Sequence, residues 1–410
     1  MRDNGGKIGY AAGSLRTLAQ EFGKIFPSCC RNRCLNQYSG NKGATMVKAN
    51  LILKMTALLP LPMLIASLIY GPVWALVLLL YLTLFAFLLD EALIASGEVD
   101  RNARTVDRAF AAMVPIILGL VHFFLLPLAV LTLATAPLGR WDQLAVFTAF
   151  ALYFGTIGMA NAHELIHRRG VYRAALGRWI FCSMLFGHHV SAHLAVHHRY
   201  VATPDDPNTA RLNEGFYHFY RRAWKGSFRQ GLRAENRRLA QSGRSIRHIA
   251  HPYLIYCGSG FVFLALAQVM AGWRGVLVYL GLASAAQIQL LLSDYVQHYG
   301  LERQRRPDGG YQPVGLIHSW NAPQVFTSAL MLNAPRHSDH HAHPAVPYDE
   351  LRIRAHDGAP MLPYSVPVMS AIALVPGLWR KLMNPRVDAW RRQQGLGGKK
   401  FYAANPELAL

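Results

Sequence analysis

Apolar residues in this chain fall into long unbroken blocks. A helix crosses about 30 Å of hydrocarbon with roughly 20 residues. Six blocks fit that length: Leu51–Tyr70, Val73–Ala95, Ala109–Ala136, Leu144–Ala162, Tyr253–Ala271 and Val276–Ser293. The connections alternate in character. Residues 71–72, 137–143 and 272–275 are short and hold only Arg140 and Arg274, whereas basic residues crowd the termini, 96–108 and the long segment 163–252. Lysine and arginine gather on the cytoplasmic side of a membrane protein. The pattern therefore predicts an all-α integral membrane protein with six transmembrane helices in three hairpins and both termini cytoplasmic. Lys54 lies one turn inside the first block and can snorkel outward, and Asp90 and Glu91 sit near the end of the second.

Ala359–Trp379 is a seventh apolar stretch, but it contains Pro360, Pro363, Pro367 and Pro376. A span there would also carry a basic C-terminal segment outside, so this stretch is expected to dock on the cytoplasmic body. Residues 1–45 are basic and barely periodic: either a flexible extension or a segment preceding a start at Met46. The chain thus divides into 1–45, a six-helix membrane domain over 46–386 and a basic tail over 387–410.

Composition agrees with the pattern. Of 410 residues 52% are hydrophobic and only 16% charged, with a mean hydropathy of +0.16. That excludes disorder and argues against a soluble globular enzyme. The net charge of +20 would suit a nucleic-acid binder, but such a surface is richer in charge overall. Five cysteines without a CxxC pair argue against a disulfide framework or zinc ribbon, and Cys29, Cys30 and Cys34 match no ligand spacing.

The candidate chemistry lies in histidine, which supplies 18 residues. Three windows concentrate eight of them: His163-Glu-Leu-Ile-His167 at the end of the fourth block, His193-Leu-Ala-Val-His197-His198, and His337-Ser-Asp-His340-His341 beyond the sixth. A single histidine is ordinarily a hydrogen-bonded structural residue; eight at these spacings are not. Positions i and i+4 share a helix face, so His163 and His167 are expected to grip one metal, and His193 and His197 to repeat that geometry. His198 is rotated aside toward a second ion, and His337 with His340 and His341 combines i+3 and i+4. One ion takes four to six ligands, so two metals are implied. The topology brings all three boxes to the cytoplasmic face, and Asp294-Tyr-Val-Gln-His298-Tyr-Gly-Leu301 adds His298 as a ninth candidate. Glu164, Asp206 and Asp339 are positioned either to orient imidazoles or to serve as loop and cap residues. His188, His189, His318 and His343 lie near the boxes. His122, inside the third block, is expected to bond a neighbouring helix, and His218, His248, His251 and His356 read as surface residues. The arginine-rich run Arg221–Arg247 suits either lipid headgroups or an acidic partner.

HELIH, HxxxHH, HYGL and RHSDHHAHP, in this order among six apolar blocks, resemble the membrane-bound alkane 1-monooxygenases within the integral-membrane desaturase and hydroxylase group. His318-Ser-Trp-Asn321 and Asn333-Ala-Pro-Arg-His-Ser-Asp-His-His-Ala-His-Pro344 resemble the alkane hydroxylase type rather than acyl desaturases. The resemblance covers roughly 46–386. It implies a non-haem di-iron centre held by His163, His167, His193, His197, His198, His298, His337, His340 and His341. It further implies O2-dependent terminal hydroxylation of medium-chain n-alkanes to 1-alkanols in a bacterial inner membrane. Electrons would come from a separate rubredoxin with rubredoxin reductase, or a ferredoxin system. The chain departs from the family pattern at Ala192 and Val196, where glutamate and glycine are usual, and at Asp294 and Gln297, which replace asparagine and glutamate. An acyl-lipid desaturase or hydroxylase on the same scaffold is the nearest rival. His163-Glu164-Leu-Ile-His167 is also a literal HExxH, the signature of a zinc protease with Glu164 as base, but that reading leaves the other two boxes without a purpose.

Overall fold

The computed structural model describes residues 55–96, 108–245, 249 and 251–395. The basic extension 1–45, Lys54, the three clustered cysteines, His248 and the tail beyond 395 lie outside the described residues. Among those described, secondary structure is helical apart from two isolated bridges. The elements are α1 (Pro60–Ile69), α2 (Val73–Ser96), α3 (Arg108–Thr135), α4 (Arg140–Ile166), α5 (Val171–Ser183), α6 (188–200), α7 (Phe216–Gln241), α8 (Pro252–His298), α9 (Phe326–Leu330), α10 (His337–Ala342), α11 (Val366–Ala373) and α12 (Pro376–Gln393).

Four helices, α2, α3, α4 and α8, are long and apolar enough to cross a membrane. At 1.5 Å per residue the 47 residues of α8 would reach about 70 Å, twice the hydrocarbon thickness. The helix is broken near its middle, where Ala271 (φ −146°, ψ 19°) and Gly272 (φ 63°, ψ −159°) leave helical space. Gly272 takes the left-handed conformation that only glycine adopts without strain, at the turn predicted over 272–275. The first block yields ten helical residues in α1. The proline-rich seventh stretch forms α11 and the start of α12, and Trp379 is fully buried against Tyr295 and Tyr299.

Irregular backbone inside the bundle is satisfied by polar side chains from elsewhere, as a dry interior requires. Pro115 inside α3 has no N–H to give Ala111, and the Tyr348 hydroxyl donates to that carbonyl instead. Asn161 Nδ2 donates to the carbonyl of Pro115 at 3.0 Å. A π-helical turn at Tyr153–Gly158 interrupts α4, and Gln289 Nε2 donates to Ala151 O just before it. α4 and α5 meet at Gly177, where a Cβ would stand 2.8 Å from Ala162 O. His122 Nε2 pairs with Ser183 Oγ at 2.8 Å, the helix-to-helix bond expected of it. His251 corrects its surface reading: it is buried, bonds Asn236, and its Nδ1 accepts the Tyr253 N–H at the start of α8.

Asp90 is the unusual polar group of α2, 1% exposed within an apolar helix. Its carboxylate accepts the backbone N–H groups of Phe326 and Thr327 and the Thr327 hydroxyl, fastening the start of α9. Removing the acceptor orphans buried donors at roughly 1–3 kcal/mol each. Asp90→Ala is therefore expected to lower the thermal unfolding midpoint in detergent by several degrees, with Asp90→Asn recovering part of the loss. An unchanged midpoint for Asp90→Ala would show the contact to be idle.

Candidate metal centre

The nine box histidines arrive on four elements. His163 occupies the last turn of α4 with His167 just past its end; His193, His197 and His198 come from α6, His298 ends α8, and α10 supplies His337, His340 and His341. The structure gathers them into two groups: His163, His167, His193, His198 and His340, and His197, His298, His337 and His341. Within each, the ligand atoms lie within 4.8 Å of one another.

His163 and His167 share a group, as i, i+4 spacing predicts. The expected pairing of His193 with His197, and the placement of His198 aside from them, are corrected. Residues His193–His197 form a π-helical turn, whose i→i+5 repeat puts His193 and His198 on one face and turns His197 to the other. In α10, His337 and His341 stay together at i, i+4 while His340 faces the first group.

Nitrogen geometry shows what the groups are suited to hold. In the first, the Nε2 atoms of His167, His193 and His198 form a triangle with sides of 3.0, 3.2 and 2.9 Å. In the second, His337 Nε2 lies 3.0 Å from His298 Nε2 and 3.1 Å from His341 Nε2. An imidazole nitrogen offers one in-plane direction, either an N–H or a lone pair, so it cannot serve two such neighbours by hydrogen bonding. The buried Nε2 atoms of His163, His197 and His340 have no hydrogen-bond partner among the described residues. A cation within each group would satisfy every one of these atoms. With metal–nitrogen bonds of about 2.0–2.1 Å, octahedral neighbours stand about 2.9 Å apart and tetrahedral ones about 3.4 Å. The observed separations fall in that interval.

Electrostatics agree. Burial, reinforced by neighbouring imidazoles, holds His193, His337, His340 and His341 well below the ordinary histidine range, and pushes His198 down to about 3. These rings are neutral at physiological pH, the form that ligates. His197 differs: burial opposes its charge, but the adjacent Asp206 carboxylate overcomes that and raises it. Asp206 Oδ2 accepts from His197 Nδ1 at 2.8 Å, which fixes the tautomer and leaves Nε2 bare. The same oxygen accepts from Thr209, Oδ1 accepts from Asn208 N, and Asn208 Nδ2 donates to Asp294.

The remaining candidates hold the frame. Glu164 Oε1 meets Arg168 Nε at 3.0 Å and accepts from Tyr348 N, a contact that ties the end of α4 to the loop after α10. Arg168 also donates to the carbonyls of Pro344, Ala345 and Val346 in that loop. Asp339 binds His343, Arg354 and Arg352 N rather than any of the nine. Gln297 accepts from Ser293 and donates to Ala334 O just before α10, and Ala192 is buried with no polar side chain. His188 and His189 are buried outside both groups; His318 accepts from Gly315 N, and burial pushes it down to about 4. Sequence reading missed Asn208 and Arg168. It also missed the role of Asn321, which exchanges hydrogen bonds with Ser338 at the start of α10. Asn321 does stand within the quoted His318–Asn321 motif; Asn208 carries no signal beyond its place two residues after Asp206.

A cavity of about 260 Å³ lies between α4, α8 and α11. Its walls are mainly apolar, with Leu152, Met159, Ala160, Leu290, Met331 and Leu374 contributing, and it touches His163 of the first group and His337 of the second.

Comparison with known proteins places this arrangement. The fatty acid desaturase family model matches residues 139–373. The chain is 33% identical over 260 residues to alkane 1-monooxygenase 1 of Pseudomonas aeruginosa, covering 62% of this chain and 65% of that protein. It is 32% identical over 279 residues to alkane 1-monooxygenase 2 of the same organism, covering 64% and 74%. The hydroxylase component of xylene/toluene monooxygenase from Pseudomonas putida is 27% identical over 245 residues, covering 59% and 64%. With the family model matching more than half of its length and four apolar helices beside two histidine groups, the chain belongs to the alkane 1-monooxygenase family within the membrane desaturase and hydroxylase superfamily.

Proposed function

We propose that this membrane protein is an alkane 1-monooxygenase that converts medium-chain n-alkanes to 1-alkanols at two histidine-held irons. The observation that carries the reading is the apolar cavity ending on one histidine from each group. A hydrocarbon in it would present one carbon to both metal positions. Bound iron would supply the activation of O2 and the attack on an unactivated C–H bond, which no side chain here can perform. The chain's own residues bind, orient and exclude. Imidazoles of the first group hold one iron and those of the second the other. Asp206 keeps His197 in the ligating tautomer, and the cavity wall keeps water from the reacting end. The sum is RH + O2 + two electrons + two protons giving ROH + H2O, with electrons from a rubredoxin and its reductase, or from a ferredoxin system.

In this reading α2, α3, α4, the two halves of α8 and the segment containing α1 make six spans. Both termini and the metal centre face the cytoplasm of a bacterial inner membrane. The distribution of lysine and arginine supports that orientation.

Protein extracted from membranes of iron-replete cells is expected to carry about two irons per chain by elemental analysis. His298→Ala and His340→Ala, one in each group, should each lower iron content and abolish turnover, since disturbing a metal's immediate surroundings typically costs 10–100-fold in affinity or activity. His122→Ala should keep its iron. One tightly bound zinc and no iron would end the reading.

The product is expected to be the primary alcohol. A primary C–H bond is stronger than a secondary one, so an unconstrained oxidant prefers the 2-position; a chain held end-on in a narrow cavity reverses that preference. Apolar walls discriminate by only about 1–3 kcal/mol per methylene, so several neighbouring lengths should react. Ala371 lines the cavity, and Ala371→Phe should shift turnover toward shorter alkanes while keeping the 1-alkanol. Mass spectrometry of products from a graded alkane series decides it: mainly 2-alkanols, or turnover of acyl substrates alone, would move the protein to the acyl-lipid class.

A further inference from the structure

α7 carries two faces of opposite character. Arg221, Lys225, Arg229, Arg233 and Arg237 recur at every fourth position, and all five are exposed. Among the described residues none of the five has an acidic partner, whereas their neighbours Arg222 and Arg238 are paired with Glu214 and Glu235. The row extends about 24 Å at 1.5 Å per residue, comparable with the contact patch of a small protein. Five unpaired cations exclude the hydrocarbon region. A helix lying in the headgroups would sink an apolar flank into lipid, but α7 presses its apolar flank on the body. Phe216, Phe219, Ala223 and Leu239 are buried, and of its large apolar side chains only Tyr217 is exposed. The face suits an acidic protein.

The inner face shows which protein. Trp224 and Phe228, both half-buried, stand edge-on to His188 with ring centres 5.4 and 5.2 Å away. His188 meets Phe186 at 4.7 Å, Phe186 stacks on His189 at 5.1 Å, and His189 stacks on His193 of the first histidine group at 5.2 Å. His188 Nε2 and His189 Nδ1 are buried without hydrogen-bond partners, so hydrogen bonding at those atoms does not account for their place. A continuous column of rings therefore joins the helix bearing the cations to the metal centre.

We propose that the row from Arg221 to Arg237 is the docking face for an acidic one-electron carrier protein, and that electrons enter through Trp224 or Phe228, His188, Phe186 and His189 to His193. The inference rests on the oxygenase reading. Each O2 consumed takes one electron from each of two reduced carriers that dock in turn, and the oxygen atom not inserted leaves as water with two protons.

The test uses the full chain in nanodiscs of zwitterionic lipid with a purified acidic rubredoxin as probe. The triple variant Lys225→Glu, Arg229→Glu, Arg233→Glu is expected to weaken rubredoxin binding about tenfold or more at low salt and to flatten its salt dependence. Arg380→Glu with Lys381→Glu, reversing exposed cations on α12, should leave the affinity near wild type. Phe186→Leu should keep the affinity but slow the oxidation of bound rubredoxin in rapid mixing; an unaltered rate overturns the route. Equal weakening by both charge-reversed variants would overturn the docking face as a mere net-charge effect. A lipid-facing row would instead leave rubredoxin affinity intact in the triple variant and abolish stabilisation by phosphatidylglycerol. Failure of the wild-type chain to bind or oxidise rubredoxin would bring down the oxygenase reading as well, whereas wild-type binding that survives the triple substitution removes the docking face alone.

Discussion

Lone pairs converging in a dry interior set the terms for the rest of this structure. Three Nε2 atoms within 3.2 Å of one another cannot all be satisfied by hydrogen bonding among themselves, and a cation among them would satisfy all three. The scaffold must hold those rings in place. Each arriving element has its own anchor: Arg168 ties the end of α4 to three carbonyls past α10, Asp206 holds His197 of α6, Asn208 holds Asp294 near the end of α8, and Asn321 holds Ser338 at the start of α10. A metal bound here would couple to the stability of this region, since the preformed arrangement offers it a complete site.

Departures from regular helix cluster where the centre needs them. The π-helical turn in α6 lets one short helix serve both groups, because it sends His193 and His198 one way and His197 the other. The π-helical turn in α4 lies along the cavity wall, where Gly155 admits the Gln289 side chain to within 2.3 Å of where a Cβ would stand. Such irregularities leave backbone groups to be satisfied within the protein: Gln289 serves the carbonyl of Ala151 before the π-helical turn of α4, and Tyr348 and Asn161 serve carbonyls around Pro115 in α3.

The sequence makes the apolar blocks, the turn at Gly272 and the nine histidines legible, because each depends on local composition or on spacing along one helix. Partition of the histidines between the groups was not legible. It turns on one extra residue in a helical turn, which period-3.6 reasoning cannot foresee. The partner of Asp90 lies 236 residues away, so the sequence shows an acid out of place but not its target. The cavity is assembled from α4, α8 and α11, and no single segment announces it. His251 read as a surface residue from its basic surroundings, yet it is buried as a helix cap, a role fixed by Pro252 and Tyr253 beside it.

The cavity also bears on what distinguishes substrates on this scaffold. Relatives of this chain include oxygenases named for alkanes and one named for xylene and toluene, and the wider family is named for fatty acids. What these substrates share is an apolar body with a carbon to be oxidised, and what separates them is the far end. The walls here are chiefly apolar, but Asp294, Gln297, Thr156 and Ser370 also reach the lining. Asp294 is already bonded to Asn208, and Gln297 to Ser293 and Ala334, while Thr156 donates to Gln289. Polar groups whose bonds are taken up within the protein offer little to a carboxylate or thioester. An uncharged hydrocarbon loses no polar hydration on entering such a space, which is the physical ground for the proposed preference for alkanes over acyl substrates.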